Sequence, residues 1–239
     1  MEIVRLNKYL ASCGIAARRK CDELILSGQV SVNGIVEKKL GVKIDSDVDK
    51  VRYDGHFVSP TAKFEYVMLN KPKNVITTVS DDRKRQTVLD LVDSKNRLFP
   101  IGRLDRDTTG LMILTNDGDF AYRLSHPKYK VQKKYRVRVS RKLSDRDLAT
   151  LANGISLEEG VTAPCELTRV ETDEKTVDIA LHQGWNRQVR RMFSTLDYEV
   201  KRLHRTEIGG LRLNLPLFGQ WRRLKSYELK SIRRVIHGN

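Results

Sequence analysis

The stretch from Gly102 to Gly118, GRLDRDTTGLMILTNDG, constrains this chain most strongly. Arg103, Asp105, Arg106 and Asp107 crowd charge beside two threonines and a glycine, and the apolar run Leu111-Met112-Ile113-Leu114 follows at once. Such a run belongs in an interior, and the turn Asn116-Asp117-Gly118 closes it. A carboxylate flanked by arginines and anchored by a buried strand is a place for chemistry. The same pattern also describes a hairpin whose turn-side charges are merely solvated, because surface ion pairs are common and weak.

The partner class follows from charge. With 45 Lys and Arg against 30 Asp and Glu, the net charge is +15, which favours a polyanion, most simply nucleic acid. Hydrophobic residues at 39% of 239 support a real core in one large or two modest domains. No apolar run of about 18 residues occurs, so membrane insertion is not expected. The first residues, MEIVRLNKYL, lack the apolar core of a secretory signal. Cys13, Cys21 and Cys165 show no CxxC spacing, so neither a disulfide framework nor a zinc site is indicated, and a reducing cytoplasm is the expected location.

Residues 3–12 show a helical stripe of Ile3, Leu6 and Leu10, stopped at Cys13-Gly14. A second helix is predicted from Ala17 to Ser27. Arg18, Arg19 and Lys20 stand in its first turn, where the helix dipole disfavours cations, so they are read as phosphate ligands or as a solvated helix start. Val30 to Val36 reads as a hairpin around Asn33-Gly34. The segment RLNKYLASCGIAARRKCDELILSGQVSVNG resembles the S4 RNA-binding domain, which implies RNA contacts from Arg18, Arg19 and Lys20. The polar stretch Ser59-Pro60-Thr61-Ala62 is read as a linker, giving an S4-like domain over 1–60 and a larger domain over 61–239. Net charge is +2 in the first and +13 in the second, so the larger domain carries its own claim on a polyanion.

Within 61–239 the expected elements are strands at 64–69 and 75–79, a short helix starting at Thr87, and a helix ending before Pro127. An alternating strand carries Tyr135, Val137 and Val139 on one face, and a well-capped helix spans Ser144 to Gly154. Strands at 165–171 and 176–182 follow, then an amphipathic helix with Val189, Met192, Phe193 and Leu196 on its apolar side. Arg187, Arg190 and Arg191 lack acidic partners at i,i+4, so an anion is expected there. The fold class is α+β with a mixed, mainly antiparallel sheet.

No phosphate-cradling glycine motif, metal-ligand spacing or nucleophile elbow is present. Asp105 and Asp107 together leave a metal-dependent nuclease open, and a lone carboxylate beside guanidinium groups leaves a nucleophile open. GRLDRDTTGLMILTNDG closely resembles the active-site motif of the RsuA/RluB-type ribosomal RNA pseudouridine synthases. FEYVMLNKPKNVITTV, KKYRVRV, GWNRQVRRMF and HRTEIGGLRL resemble further motifs of that family in the same order.

The resemblance implies Asp105 as catalytic nucleophile, Tyr135 as the ring that stacks on the target base, and Arg190 as the partner of Asp105. It implies Arg103 as an RNA contact and Ile208 as an apolar wall; Arg187 is expected to meet RNA from the charge pattern of its own helix. Asp107 is assigned to shaping the loop. Asn74 and Trp185 depart from the residues frequent at their positions; Asn tolerates the left-handed backbone that the turn after Asn70-Lys71-Pro72 needs.

The implied activity isomerises a uridine of ribosomal RNA, large-subunit RNA being favoured over small-subunit RNA because of NRQVRRM, with no cofactor and no metal. Attack on the base, attack on the ribose and a glycal route all stay open. The implied partner is ribosomal RNA or a pre-ribosomal particle, met during ribosome biogenesis by a monomeric enzyme. A non-catalytic S4-domain ribosome-binding protein is the rival reading.

Overall fold

The computed structural model describes residues 2–61 and 63–238. The chain condenses into two compact units. One takes in the residues up to Glu65 with Lys95–Arg97 and Asn116–Gly118; the other holds Tyr66–Ser94, Leu98–Thr115 and the residues from Asp119 onward.

The first unit contains β1 (Ile3–Arg5), α1 (Leu6–Ser12), α2 (Arg18–Leu26), β2 (Val30–Val32), β3 (Ile35–Val36), β4 (Lys43–Asp45), β5 (Val51–Tyr53) and β6 (His56–Phe57). The helical stripe expected from Ile3 begins only at Leu6, because residues 3–5 pair antiparallel with β4 instead. Leu6, Leu10, Cys21, Ile25, Val30, Ile44 and Val51 form its core. Asn33 and Gly34 both take positive φ (53° and 88°), the geometry of a tight hairpin turn, and β2 pairs with β3 and β5. Arg18, Arg19 and Lys20 open α2 and are exposed. Lys20 is paired with Glu23 at 2.6 Å across one helical turn, and Arg18 lies 3.5 Å from Asn7 Oδ1.

The second unit is built on a nine-stranded sheet. Its strands are β7 (Tyr66–Lys71), β8 (Phe99–Pro100), β9 (Thr109–Thr115), β10 (Lys133–Val139), β13 (Glu166–Arg169), β14 (Thr176–Leu181), β15 (Val200–Ile208), β16 (Leu211–Arg212) and β17 (Trp221–Arg223). A separate hairpin is formed by β11 (Ser156–Leu157) and β12 (Gly160–Val161). The helices are α3 (Gly118–Ser125), α4 (Asp145–Asn153), α5 (Gln188–Ser194) and α6 (Ser226–His237). The order across the sheet is β13-β14-β10-β15-β9-β7-β17, with β16 beside β15 and β8 beside β9. The β15–β9 pairing is parallel; the other pairings are antiparallel. The class is α+β.

The run LMIL occupies β9, whose seven residues are all buried. Strand geometry sends neighbouring side chains to opposite faces. Leu111 and Ile113 pack with Met68, Phe120, Leu124, Ile232 and Ile236 beneath α3 and α6. Met112 and Leu114 pack with Val67, Leu69, Val75, Val88 and Leu104. Each such side chain contributes about 1.5–3 kcal/mol when fully buried.

The expected strand at 75–79 and helix at 87–92 do not form. Ile76 and Thr87 make a single bridge, and the Asp90 carboxylate caps a turn by accepting from Thr87 N and Oγ1 at 2.7 and 3.0 Å. This segment is a strap instead: Val75 and Val88 plug the core, and its polar groups turn to the 102–108 loop. Among the described residues no helix is long and apolar enough to cross a membrane.

Two contacts set stability predictions. Gly110 has φ +106°, and a Cβ there would lie 2.3 Å from Arg205 O on β15. Gly110→Ala therefore strains the backbone and wedges the parallel pair apart, and should cost more than about 2 kcal/mol in urea unfolding. The nearly buried Glu228 carboxylate accepts two 2.7 Å bonds from Arg222, tying β17 to α6. That pairing holds Glu228 below the usual carboxylate range. Its stabilisation is present above the ordinary glutamate pKa and is lost as pH falls through the lower folded value. Glu228→Gln should cost about 2 kcal/mol at pH 7, with the deficit closing in acid.

Candidate active site

The loop between β8 and β9 is fixed through its carbonyl oxygens. Thr77 Oγ1 donates to Leu104 O at 2.8 Å, Asn74 N to Arg106 O at 2.8 Å, and Thr108 N to Asp105 O at 3.1 Å. Asn74 takes φ 66°, the left-handed turn expected of it. Lys71 ends β7 with no exposed surface. Its Nζ donates to Thr108 O at 2.9 Å, Pro72 O at 3.0 Å and Asp105 O at 3.1 Å, with Arg106 O at 3.5 Å. Burial pulls this ammonium down to about 8, against the opposing pull of the Asp107 and Asp105 carboxylates. With its backbone held from behind, the loop leaves the Asp105 side chain 30% exposed.

Asp105 lines a cavity of about 420 Å³, whose wall also includes Arg103, Lys133, Tyr135, Trp185, Arg187 and Ile208. Tyr135 is half-buried and packs against both the α4–α5 core and the strap-side core. Lys133 precedes it by two residues on β10, and burial with the nearby Arg205 lowers its ammonium to about 8. Arg103 and Asp105 also border a second cavity, of about 600 Å³, with Arg85 and Arg106.

The charges pair differently from the expectation. Arg190 Nη2 lies 2.9 Å from Asp107 Oδ2, not against Asp105, while its Nη1 donates to Val200 O at 3.0 Å. Anchored on β15, the guanidinium meets the second carboxylate of the loop. Arg187 is the guanidinium that approaches the Asp105 carboxylate, with Nη1 3.7 Å from Asp105 Oδ2 and 3.6 Å from Asp107 Oδ1. The 105–108 segment is a turn, not an extended stretch, yet one guanidinium reaches both carboxylates. Arg187 takes φ 47° at the start of α5. The turn before it is organised by buried Gln188, which accepts from Trp185 N at 3.0 Å and donates to Gln183 at 3.2 Å. Arg18, Arg19 and Lys20 belong to the other unit.

A family model described as RNA pseudouridylate synthase matches residues 65–195, and one described as S4 domain matches residues 4–49. The chain belongs to the RNA pseudouridylate synthase family. Its relatives place it in the RsuA/RluB-type branch. It is 42% identical to the ribosomal large subunit pseudouridine synthase B of Bacillus subtilis, over 98% of each chain. It is 40% identical to an RNA pseudouridine synthase of Aquifex aeolicus, over 98% of this chain and 95% of the other. The dual-specificity RNA pseudouridine synthase RluF of Escherichia coli is 35% identical, over 99% of this chain and 80% of its own. A crystal structure of a pseudouridylate synthase superposes with a TM-score of 0.71 at 31% identity, covering 96% of this chain and 99% of that one.

Cys21 is fully buried, burial pushes Cys13 up to about 12 and Cys165 to about 11, and none of the three thiols lines the Asp105 cavity. Sequence reasoning missed Lys71, Gln188 and the Arg190–Asp107 pair. Lys71 had a signal, a lysine ending an otherwise buried strand.

Lys71→Met should leave three carbonyls of the 105–108 loop, and that of Pro72, without their shared donor. We expect turnover on unmodified RNA to fall about 100-fold, with a lower Tm, since small misplacements of reacting groups carry penalties of that size. Lys71→Arg should not rescue it, because a planar guanidinium does not fit a site shaped for a point charge.

Proposed function

We propose that this chain isomerises a specific uridine of ribosomal RNA, in the large subunit, to pseudouridine, with Asp105 as the nucleophile. The observation that carries the reading is Asp105 on one wall of a half-enclosed cavity that Tyr135 and Ile208 also line. The 42% identity to a large-subunit synthase over 98% of each chain supports the choice of RNA.

The reaction breaks the bond from uracil N1 to the ribose C1′ and forms one from C5 to C1′. A proton leaves C5 and one is gained at N1, so the product is an isomer and no oxidant or reductant enters the balance. The uracil must leave its stack, at a cost of about a few kcal/mol, and turn over without escaping. Tyr135 supplies a stacking face worth roughly 1–3 kcal/mol, and Ile208 the apolar wall. Arg187 steadies the Asp105 carboxylate directly. Arg190 acts at one remove, by holding Asp107 and with it the loop. Arg103, on the rim of both cavities, contacts the RNA. Arg18, Arg19 and Lys20 of the S4 unit add phosphate contacts, their exposure at a helix start being the supporting observation.

The test uses transcribed, unmodified large- and small-subunit RNAs, mapped by carbodiimide-blocked primer extension after incubation. Wild type should give one new stop on the large-subunit RNA, and Asp105→Asn none, with unchanged Tm. Empty maps on both RNAs from the wild type would sink the ribosomal reading. An equal stop from Asp105→Asn would remove Asp105 from the chemistry.

A further inference from the structure

The end of α3 and the single 3-10 turn after it, Pro127–Tyr129, carry side chains for which the chemistry above has no use. Tyr122 is 46% exposed. Its ring centre lies 5.9 Å from that of Tyr129, almost perpendicular at 88°, and 4.7 Å from the His126 imidazole. The Lys128 ammonium occupies the corner between the two phenols, 5.2 Å from Tyr122 and 4.8 Å from Tyr129. The Arg123 guanidinium lies 5.8 Å from Tyr129.

The turn is held in place on both sides. Tyr129 packs against the core under α3 and α6. Lys128 N donates to His126 Nδ1 at 3.2 Å. Lys130, in left-handed backbone at φ 48°, offers its carbonyl to His182 Nδ1 at 2.5 Å. His182, Leu124, Ser125 and Pro127 all line the Asp105 cavity. One short segment thus has an inner side that is cavity wall and an outer side of tyrosine rings and cations.

We propose that Tyr122, backed by Tyr129, forms a stacking platform for an unpaired nucleotide of the RNA strand flanking the target uridine, with Lys128 and Arg123 receiving its phosphates. This rests on the RNA-substrate part of the reading above. An exposed ring braced by an anchored second ring presents a fixed π-face, and base stacking on such a face tolerates any sequence. The adjacent ammonium and guanidinium meet the backbone charge. An α-helix is about 10 Å across, so a strand leaving the cavity over this rim reaches Tyr122 within a few nucleotides. Lys128 then moves from the corner to a phosphate, and the base takes the vacated face of Tyr122. A duplex, whose bases are already stacked, gains nothing there.

The experiment measures binding of a fluorescein-labelled decauridine, and of a ten-base-pair RNA duplex, to the full-length chain across a salt series. Tyr122→Ala should weaken decauridine binding about tenfold and leave duplex binding in place, and Tyr122→Trp should restore it. Lys128→Ala should lower the slope of log affinity against log salt by about 0.7, the value for one lost contact to a single strand. Tyr122 and Lys128 are exposed, so neither variant threatens the fold. Equal decauridine binding by Tyr122→Ala and wild type overturns the proposal, as does no measurable binding by the wild type. Displacement of decauridine by polyglutamate as readily as by unlabelled decauridine also overturns it, because the patch would then be a polyanion surface without stacking. A wild type that shows the expected binding pattern but leaves both ribosomal RNAs unmodified retires the ribosomal target and leaves the platform standing.

Discussion

A single buried ammonium organises the end of the sheet that carries Asp105. Lys71 Nζ is shared among the carbonyls of Pro72, Asp105, Arg106 and Thr108, so the loop from 105 to 108 closes around a cation rather than around an apolar residue. Charge-assisted bonds of this kind are stronger than neutral ones, and a buried ammonium without them would be expensive. Because the loop spends its carbonyl oxygens on Lys71, Thr77 and Asn74, the Asp105 side chain is left facing the cavity. The same ammonium feels both carboxylates, which partly offset the desolvation that depresses its pKa.

That arrangement depends on a strand with no solvent face. β9 is buried on both sides, between the α3–α6 layer and the 75–98 strap, so its position is fixed by packing from two directions. Gly110 permits the one parallel contact in the sheet, where the β15 backbone approaches too closely for any side chain. Arg205, 3% exposed, seals this junction by donating to Leu111 O at 2.7 Å. Rigidity behind the loop and an open cavity in front are two results of the same packing.

Much of this was legible in the sequence, and the failures have physical causes. LMIL, with its charged approach and closing turn, marked the buried central strand correctly, because a continuous apolar run has few other destinations. The helix at 145–153 was readable from Ser144, whose hydroxyl accepts from Asp147 N at 3.1 Å as an N-cap should. The left-handed turn at Asn74 was readable from residue type. VITTV misled because β-branched residues fit any half-buried extended backbone, and here that backbone straps a loop instead of joining the sheet. The partner of Arg190 was not legible: two carboxylates two residues apart are equivalent on paper, and the choice is made by the β15 carbonyl that holds the other end of the guanidinium. A lysine ending an apolar strand signalled the burial of Lys71, but not its partners, because backbone acceptors leave no trace in residue identity.

The parallel pairing of β9 with β15 bears on when the enzyme becomes an enzyme. Asp105 precedes β9 and Tyr135 lies on β10, yet in the sheet β10 and β9 are joined only through β15 between them. The contact between Thr109 and His204 spans 95 residues, a long loop to close before any reward is collected. During synthesis, the loop bearing Asp105 and the strand bearing Tyr135 emerge early but have no shared neighbour in the sheet until residues 200–208 follow. The two walls of the cavity therefore meet only near the end of synthesis.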